Sequence, residues 1–338
     1  MTILTALLIF GAIIFFHELG HFIAAKRAGI TVEEFAVGMG PAILKKEYHG
    51  TLYSIRILPV GGFTMMQGEE EDVDLPGSFS SKPLWPRLKV ILAGSFFNII
   101  MGYLILVALT AINGYVGTTV VASFNEGAVS SQTLRLEDRI MRVNGKRVTT
   151  SNDIVYELLR DQDGLVDLTI QRDGEKQIVP VQFELETVEE GVQFINLDFK
   201  MWAHSAAPLD YLTYPVNWGL SIVKQVWGSL IDLITGRYAV NQLSGPVGVV
   251  SAIGAASKMG LESVMLMAAF IAINVGIFNL LPLPILDGGK VLIMLIEAVI
   301  RRPINAKLID WTMTGSVVLM MMLMLYVTYN DIFKLIVK

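Results

Sequence analysis

The chain alternates between long apolar runs and polar stretches, and the lengths of the apolar runs set the expected architecture. Four of them, about residues 3–25, 89–112, 263–286 and 310–329, each come near the ~20 residues a helix needs to cross a bilayer. The pattern predicts a polytopic α-helical membrane protein with four transmembrane helices. A fifth apolar run, Pro246 to Ala256, is too short and glycine-rich to span, which leaves an interfacial or a buried segment. Between the first two spans, Tyr53 to Val60 reads as a strand, Gly61-Gly62 as a turn and Phe63 to Met66 as a returning strand. This hairpin is too apolar for a plain linker. It is either a re-entrant β-hairpin over about 50–67, lining a cavity at membrane depth, or a small cytoplasmic hairpin. In the first case its free edge, around Gly61, Gly62 and Phe63, could pair with an extended substrate.

The long polar stretch between spans two and three has a different rhythm. Thr118 to Ser123, Arg139 to Val143, Val166 to Arg172 and Gln177 to Phe183 are short β-like runs, and Asn144-Gly145 and Asp173-Gly174 are hairpin turn pairs. Ser151 to Arg160 reads as a helix opened by a Ser/Asn cap. Residues 115–186 therefore form an inserted α+β domain between a membrane part over 1–112 and another over 263–338. The intervening 187–262 is an amphipathic linker. Its stretch 207–240 carries Trp218 and Trp227 and suits either a helix lying on a membrane surface or one packed on the soluble domain.

Charge adds orientation. Lys26, Arg27, Lys45, Lys46, Arg56, Lys82, Arg87 and Lys89 lie between spans one and two, and Lys290, Arg301, Arg302 and Lys307 between spans three and four. The positive-inside rule makes both loops cytoplasmic, with both termini and 113–262 outside. The first span has no basic n-region and no small-residue cleavage site, so it reads as a retained helix rather than a signal peptide. Of the 338 residues 53% are hydrophobic and 17% charged, with mean hydropathy +0.55, in keeping with a multi-span protein rather than a soluble one. The net charge of −5, without any Lys/Arg-rich run, argues against nucleic acid as a partner. With no cysteine in the chain, thiolate metal sites and cysteine nucleophiles are excluded.

The candidate chemistry lies inside the first apolar run, in His17-Glu18-Leu19-Gly20-His21. On a helix His17 and His21 share a face and can offer two imidazoles to one Zn²⁺, while Glu18 can act as general base on a water beside the metal. Ionisable residues at bilayer depth are costly and mark function, although histidines hydrogen-bonded between helices would be a structural alternative. Completing an open zinc site requires one carboxylate. Asp287 in Leu281-Pro282-Leu283-Pro284-Ile285-Leu286-Asp287-Gly288-Gly289 is at the same end of its span as His21, where the prolines and glycines let the backbone turn inward. Asp287 could instead cap the helix that follows, but its matching depth favours the ligand reading. Glu297 is a less well placed substitute.

HELGH in the first span and LPLPILDGG in a later one, in this order, resemble the site-2 protease family of intramembrane zinc metalloproteases, in its bacterial RseP-type branch. The resemblance covers nearly the whole chain. It implies Zn²⁺ bound by His17, His21 and Asp287, Glu18 as general base, and the re-entrant β-loop at about 50–67. It also places the family's substrate-side Asn and Pro at Asn279 and Pro282, and matches Ser244-Gly245-Pro246 to an element before the third span. Leu136 to Gly145 resembles the PDZ pattern, with Glu137 where glycine is usual, so the inserted domain is expected to be a single extracytoplasmic PDZ-like domain. The implied activity is cleavage of transmembrane segments of single-span proteins, such as anti-sigma factors or remnant signal peptides, in regulated intramembrane proteolysis. The implied setting is the bacterial inner (plasma) membrane, among lipid, with the active site toward the cytoplasm. A non-catalytic metal carrier could reuse the two histidines and Asp287 but has no need of Glu18, and a PDZ scaffold needs none of them.

Overall fold

The computed structural model describes residues 2–69, 75–187, 193–237 and 243–337. The chain divides into two compact units, Met1–Ile105 with Leu230–Lys338, and Leu106–Ser229.

Helix α1 (Thr2–Arg27) is apolar up to the histidine motif and ends on Lys26 and Arg27, whose charges favour a helix C-terminus. Strands β1 (Val32–Tyr48) and β2 (Thr51–Met66) follow, joined by His49-Gly50, both at positive φ. The tight turn is therefore here and not at Gly61-Gly62. β2 bends instead at Gly61, whose φ of +92° and tight approach to the Met39 side chain suit glycine. The two halves of β2 do not pair with each other. They flank the first part of β1, so that Val37 pairs with Ile55 on one side and Gly62 on the other, and Phe35 with Tyr53 and Thr64. Residues 62–66 thus form an outer strand. β1 escapes a hydrophobicity reading because Glu33, Glu34, Lys45, Lys46 and Pro41 make it look like a loop. Helix α2 (Leu84–Asn113) then covers α1.

In the second unit, strands β3 (Tyr115–Phe124), β4 (Arg139–Val143), β5 (Lys146–Arg147), β6 (Leu165–Arg172), β7 (Glu175–Gln182) and β10 (Phe199–Ser205) are sheet strands, with the short pair β8 (Leu185–Thr187) and β9 (Gln193–Ile195) apart. The sheet is antiparallel in the order β10-β3-β4-β6-β7, with β5 on β4. Asn144-Gly145 and Asp173-Gly174 are all at positive φ, as type I′ turns require. Alternate residues of β6, Val166, Leu168 and Ile170, are buried with Ile140, Val143 and Phe183. Helix α3 (Ser151–Leu159) contributes Ile154 and Leu158; its cap is Thr150, in a capping box with Asp153, rather than Ser151 or Asn152. Glu137 sits at φ +70°, a conformation in which glycine carries no steric penalty.

The unit is longer than 115–186 because β10 pairs with β3 and helix α4 (Asp210–Ile234) packs on α3. Tyr156 Oη donates to Gln225 O at 3.1 Å, and Lys224 Nζ is 3.5 Å from Asp153. Of the two readings of 207–240, packing on the domain is observed for this face. Leu212, Val216, Leu220 and Trp227, at helical spacing on another face, remain exposed.

The first unit resumes with α5 (Pro246–Met259), α6 (Leu261–Asn279), α7 (Asp287–Ile300) and α8 (Ala306–Val337). The run Pro246 to Ala256 is thus helical, and its Ile253 is buried with Ile9 and Ile13 of α1 and Ala272 of α6. The third apolar run does not continue to 286. α6 stops at Asn279, because Pro282 and Pro284 cannot extend it. Among the described residues α1, α2, α6 and α8 are long and apolar enough to cross a membrane. Asp331 of α8 accepts the Gly248 N–H in the first turn of α5 at 2.7 Å.

Candidate active site

Helix α1 presents His17, Glu18 and His21 where it meets α2. The contact is close because small residues face each other. A Cβ at Gly20 would lie 2.5 Å from Ala93 O, and one at Gly94 would overlap both imidazole rings. His21 Nδ1 is 2.9 Å from Val90 O, which can only accept, so this nitrogen carries the proton and Nε2 offers a lone pair. His17 Nδ1 faces the Asn98 side-chain amide at 3.4 Å. Asp287 opens α7 just beyond the proline-interrupted turn, and the backbone there is crowded enough that Gly288 and Gly289 have no room for a Cβ.

These elements bring one atom from each residue together. His17 Nε2 and His21 Nε2 are 3.2 Å apart, and Asp287 Oδ2 is 3.3 and 3.4 Å from them. Tetrahedral zinc with bonds of ~2.0–2.1 Å spaces its ligand atoms about 3.3 Å apart. Asp287 Oδ2 is buried and accepts no hydrogen bond, the expected state of an oxygen reserved for a cation. The residues fit the metal. Among the described residues His17, His21 and Asp287 are also the one group with metal-ligand spacing. The N-cap of α7 is Leu286, and Asp287 makes no side-chain cap bond at this N-terminus. Glu297 lies elsewhere, accepting the Ile304 N–H at 3.0 Å.

Glu18 points to the hairpin. Thr64 Oγ1 is 2.9 Å from Glu18 Oε2 and 3.0 Å from Glu18 O, and a Cβ at Gly62 would sit 3.3 Å from Glu18 Cγ. A cavity of about 680 Å³ opens here, lined by His17, Glu18, His21 and Asp287 on one side and by Phe63 to Glu69 on the other. Lys290, one turn beyond Asp287, pairs with Glu69 across it at 2.7 Å. Of the expected substrate-side residues, Phe63 lines this cavity and Gly62 abuts Glu18, whereas Gly61 forms the bend; Asn279 and Pro282 close α6 and are not among its lining residues. Sequence reasoning missed Thr64, Asn98 and Val90, whose contacts span 46 to 81 residues of chain.

The description of family M50 peptidases matches residues 5–323. The chain belongs to peptidase family M50. Among its relatives, the regulator of sigma-W protease RasP of Bacillus subtilis is 30% identical, with 99% of each chain covered. The zinc metalloprotease RasP of Bacillus licheniformis is also 30% identical over 99% of both chains. A candidate zinc metalloprotease of Clostridium perfringens is 34% identical over 98% of both. As an M50 peptidase of the site-2 type, this chain is a membrane zinc metalloprotease, and Zn²⁺ is its metal.

Proposed function

We propose that this M50 peptidase cuts transmembrane segments of single-span membrane proteins within the bilayer, using His17, His21 and Asp287 to hold zinc and Glu18 as general base. The observation that carries the reading is the ligand triangle standing beside a carboxylate that is itself tied to a strand edge left open among the described residues. When bound, the zinc supplies Lewis-acid activation of water and of the scissile carbonyl. Glu18 removes the proton of the attacking water and returns it to the leaving amine. A substrate segment, unwound from its helix, adds alongside residues 62–66, with Gly62 and Phe63 at the contact. Because Thr64 bonds Glu18 from this same strand, pairing with the edge aligns the scissile bond with the base.

Regulated intramembrane proteolysis of anti-sigma factors, or clearance of remnant signal peptides, is the role this reading gives the enzyme; a relative named for regulating sigma-W supports the first. The loop charges support a bacterial plasma-membrane enzyme with both termini outside and its active site toward the cytoplasm. The α+β unit is then extracytoplasmic and PDZ-like, and the positive φ at Glu137, where the PDZ pattern has glycine, supports that likeness.

Two variants test the assignment. Glu18→Gln keeps the shape but cannot take the proton, so cleavage of a model transmembrane substrate should vanish while zinc stays near one per chain. Asp287→Ala should lose zinc as well as activity. Retained peptidase activity in Glu18→Gln would remove Glu18 from its role, and undiminished zinc in Asp287→Ala would place the third ligand elsewhere.

A further inference from the structure

The two histidines are oriented by different kinds of group. Val90 O holds His21 in a single tautomer because a carbonyl only accepts. His17 faces Asn98 instead, a residue of α2 that is fully buried, with its Nδ2 3.4 Å from His17 Nδ1 and its Oδ1 lacking a hydrogen-bond partner among the described residues. A primary amide carries a donor at one end and an acceptor at the other, exchanged by a half-turn of the side chain.

Each orientation dictates a different imidazole. With nitrogen facing the ring, Nδ1 accepts, so the proton sits on Nε2 and is donated to the Nε2 lone pair of His21, 3.2 Å away. That tautomer spends its Nε2 proton on His21 and cannot ligate. With oxygen facing the ring, Nδ1 carries the proton, and the Nε2 lone pair joins those of His21 and Asp287. The ring cannot escape this choice by moving aside. Gly94, one turn before Asn98 on α2, lies against both imidazoles.

We propose that Asn98 is a positioning residue that selects the tautomer of His17, its amide oxygen facing Nδ1 in the metal-ready form. This rests on the reading that His17, His21 and Asp287 hold the zinc.

The test measures zinc affinity of the full chain in detergent by competition with a chromogenic chelator, without turnover. Asn98→Leu has similar size and no polar atom, so it should bind zinc 10–100-fold more weakly. Asn98→Asp can only accept when ionised; it fixes the metal-ready tautomer and should bind zinc at least as tightly as the parent. A purely structural role for the buried amide would weaken both variants alike. The inference is overturned if Asn98→Leu stays within about twofold of the parent, or if Asn98→Asp is as weak as Asn98→Leu. Should the leucine variant aggregate, Asn98→Ala replaces it with the same expected loss. Asp287→Ala runs alongside. If it binds zinc like the parent, the ligand set itself is wrong; if it loses zinc while Asn98→Leu does not, the failure belongs to Asn98 alone.

Discussion

A general base is useful only if it points at the right water, and Thr64 limits where Glu18 can point. Its hydroxyl has one proton to share between the Glu18 carboxylate and the Glu18 carbonyl, so it grips the residue at both ends. Thr64→Val preserves the shape and removes the grip. Turnover should fall by roughly tenfold, the scale of one hydrogen bond to a charged group, with zinc content unchanged. An equal loss of zinc would mean that the threonine supports the metal ligands and not the base. The motif residues could be read from the sequence because helix periodicity fixes the relation of His17 to His21 locally. Thr64 and Asn98 could not, because their positions depend on how a strand edge and a second helix pack against α1, and no local spacing encodes that.

At the scale of elements, the turns were legible and the strands between them less so. Asn144-Gly145 and Asp173-Gly174 announce their hairpins by turn chemistry, whereas β1 is disguised by charges, exposed at Lys45 and Lys46 and, at Glu34, bonded to Ser54 and Arg56 of β2. The α1–α2 seam makes a sharp prediction. Gly94→Leu places bulk into both imidazoles, so zinc content should collapse even if the helices still form, as measured by metal analysis of the purified variant. In the α+β unit the telling residue is Asp153. Burial alone would raise its pKa, but hydrogen bonds from Ser221 and Thr149, together with Lys224, outweigh burial and hold it below the ordinary carboxylate value. A carboxylate with a depressed folded pKa stabilises fully above its unfolded value of ~3.9, and that contribution disappears as pH falls through the lower folded value. The protection of the α3 amides from hydrogen exchange, taken against the free-peptide rate at each pH, should therefore fall below about pH 4 in the parent, and Asp153→Asn should be less protected at neutral pH with much less dependence on acid. Equal acid dependence in both proteins would assign the effect to another group.

For the whole molecule, the paired ends of β3 and β10 in the α+β unit matter most. Tyr115 and Ser205 are paired neighbours in β3 and β10, so the chain between them can be excised and bridged by a short linker. If the unit excludes substrates that still carry bulky external domains, the excised protein should keep cleaving a short substrate and begin cleaving an untrimmed one. Loss of the short substrate, with zinc still bound, would show recruitment instead. Access on the membrane side follows from the seam described above. Where α1 and α2 touch through Gly20 and Gly94 there is little room to part, and the far wall of the cavity is where Glu69 and Lys290 meet. That wall is fastened by an ion pair whose lysine is 41% exposed. Such a pair contributes at most about 1 kcal/mol and weakens as salt screens it. If substrate enters across this pair, ionic strength becomes a throttle on the enzyme. Raising it should speed cleavage wherever substrate threading limits the rate, and Glu69→Gln should respond less to salt than the parent.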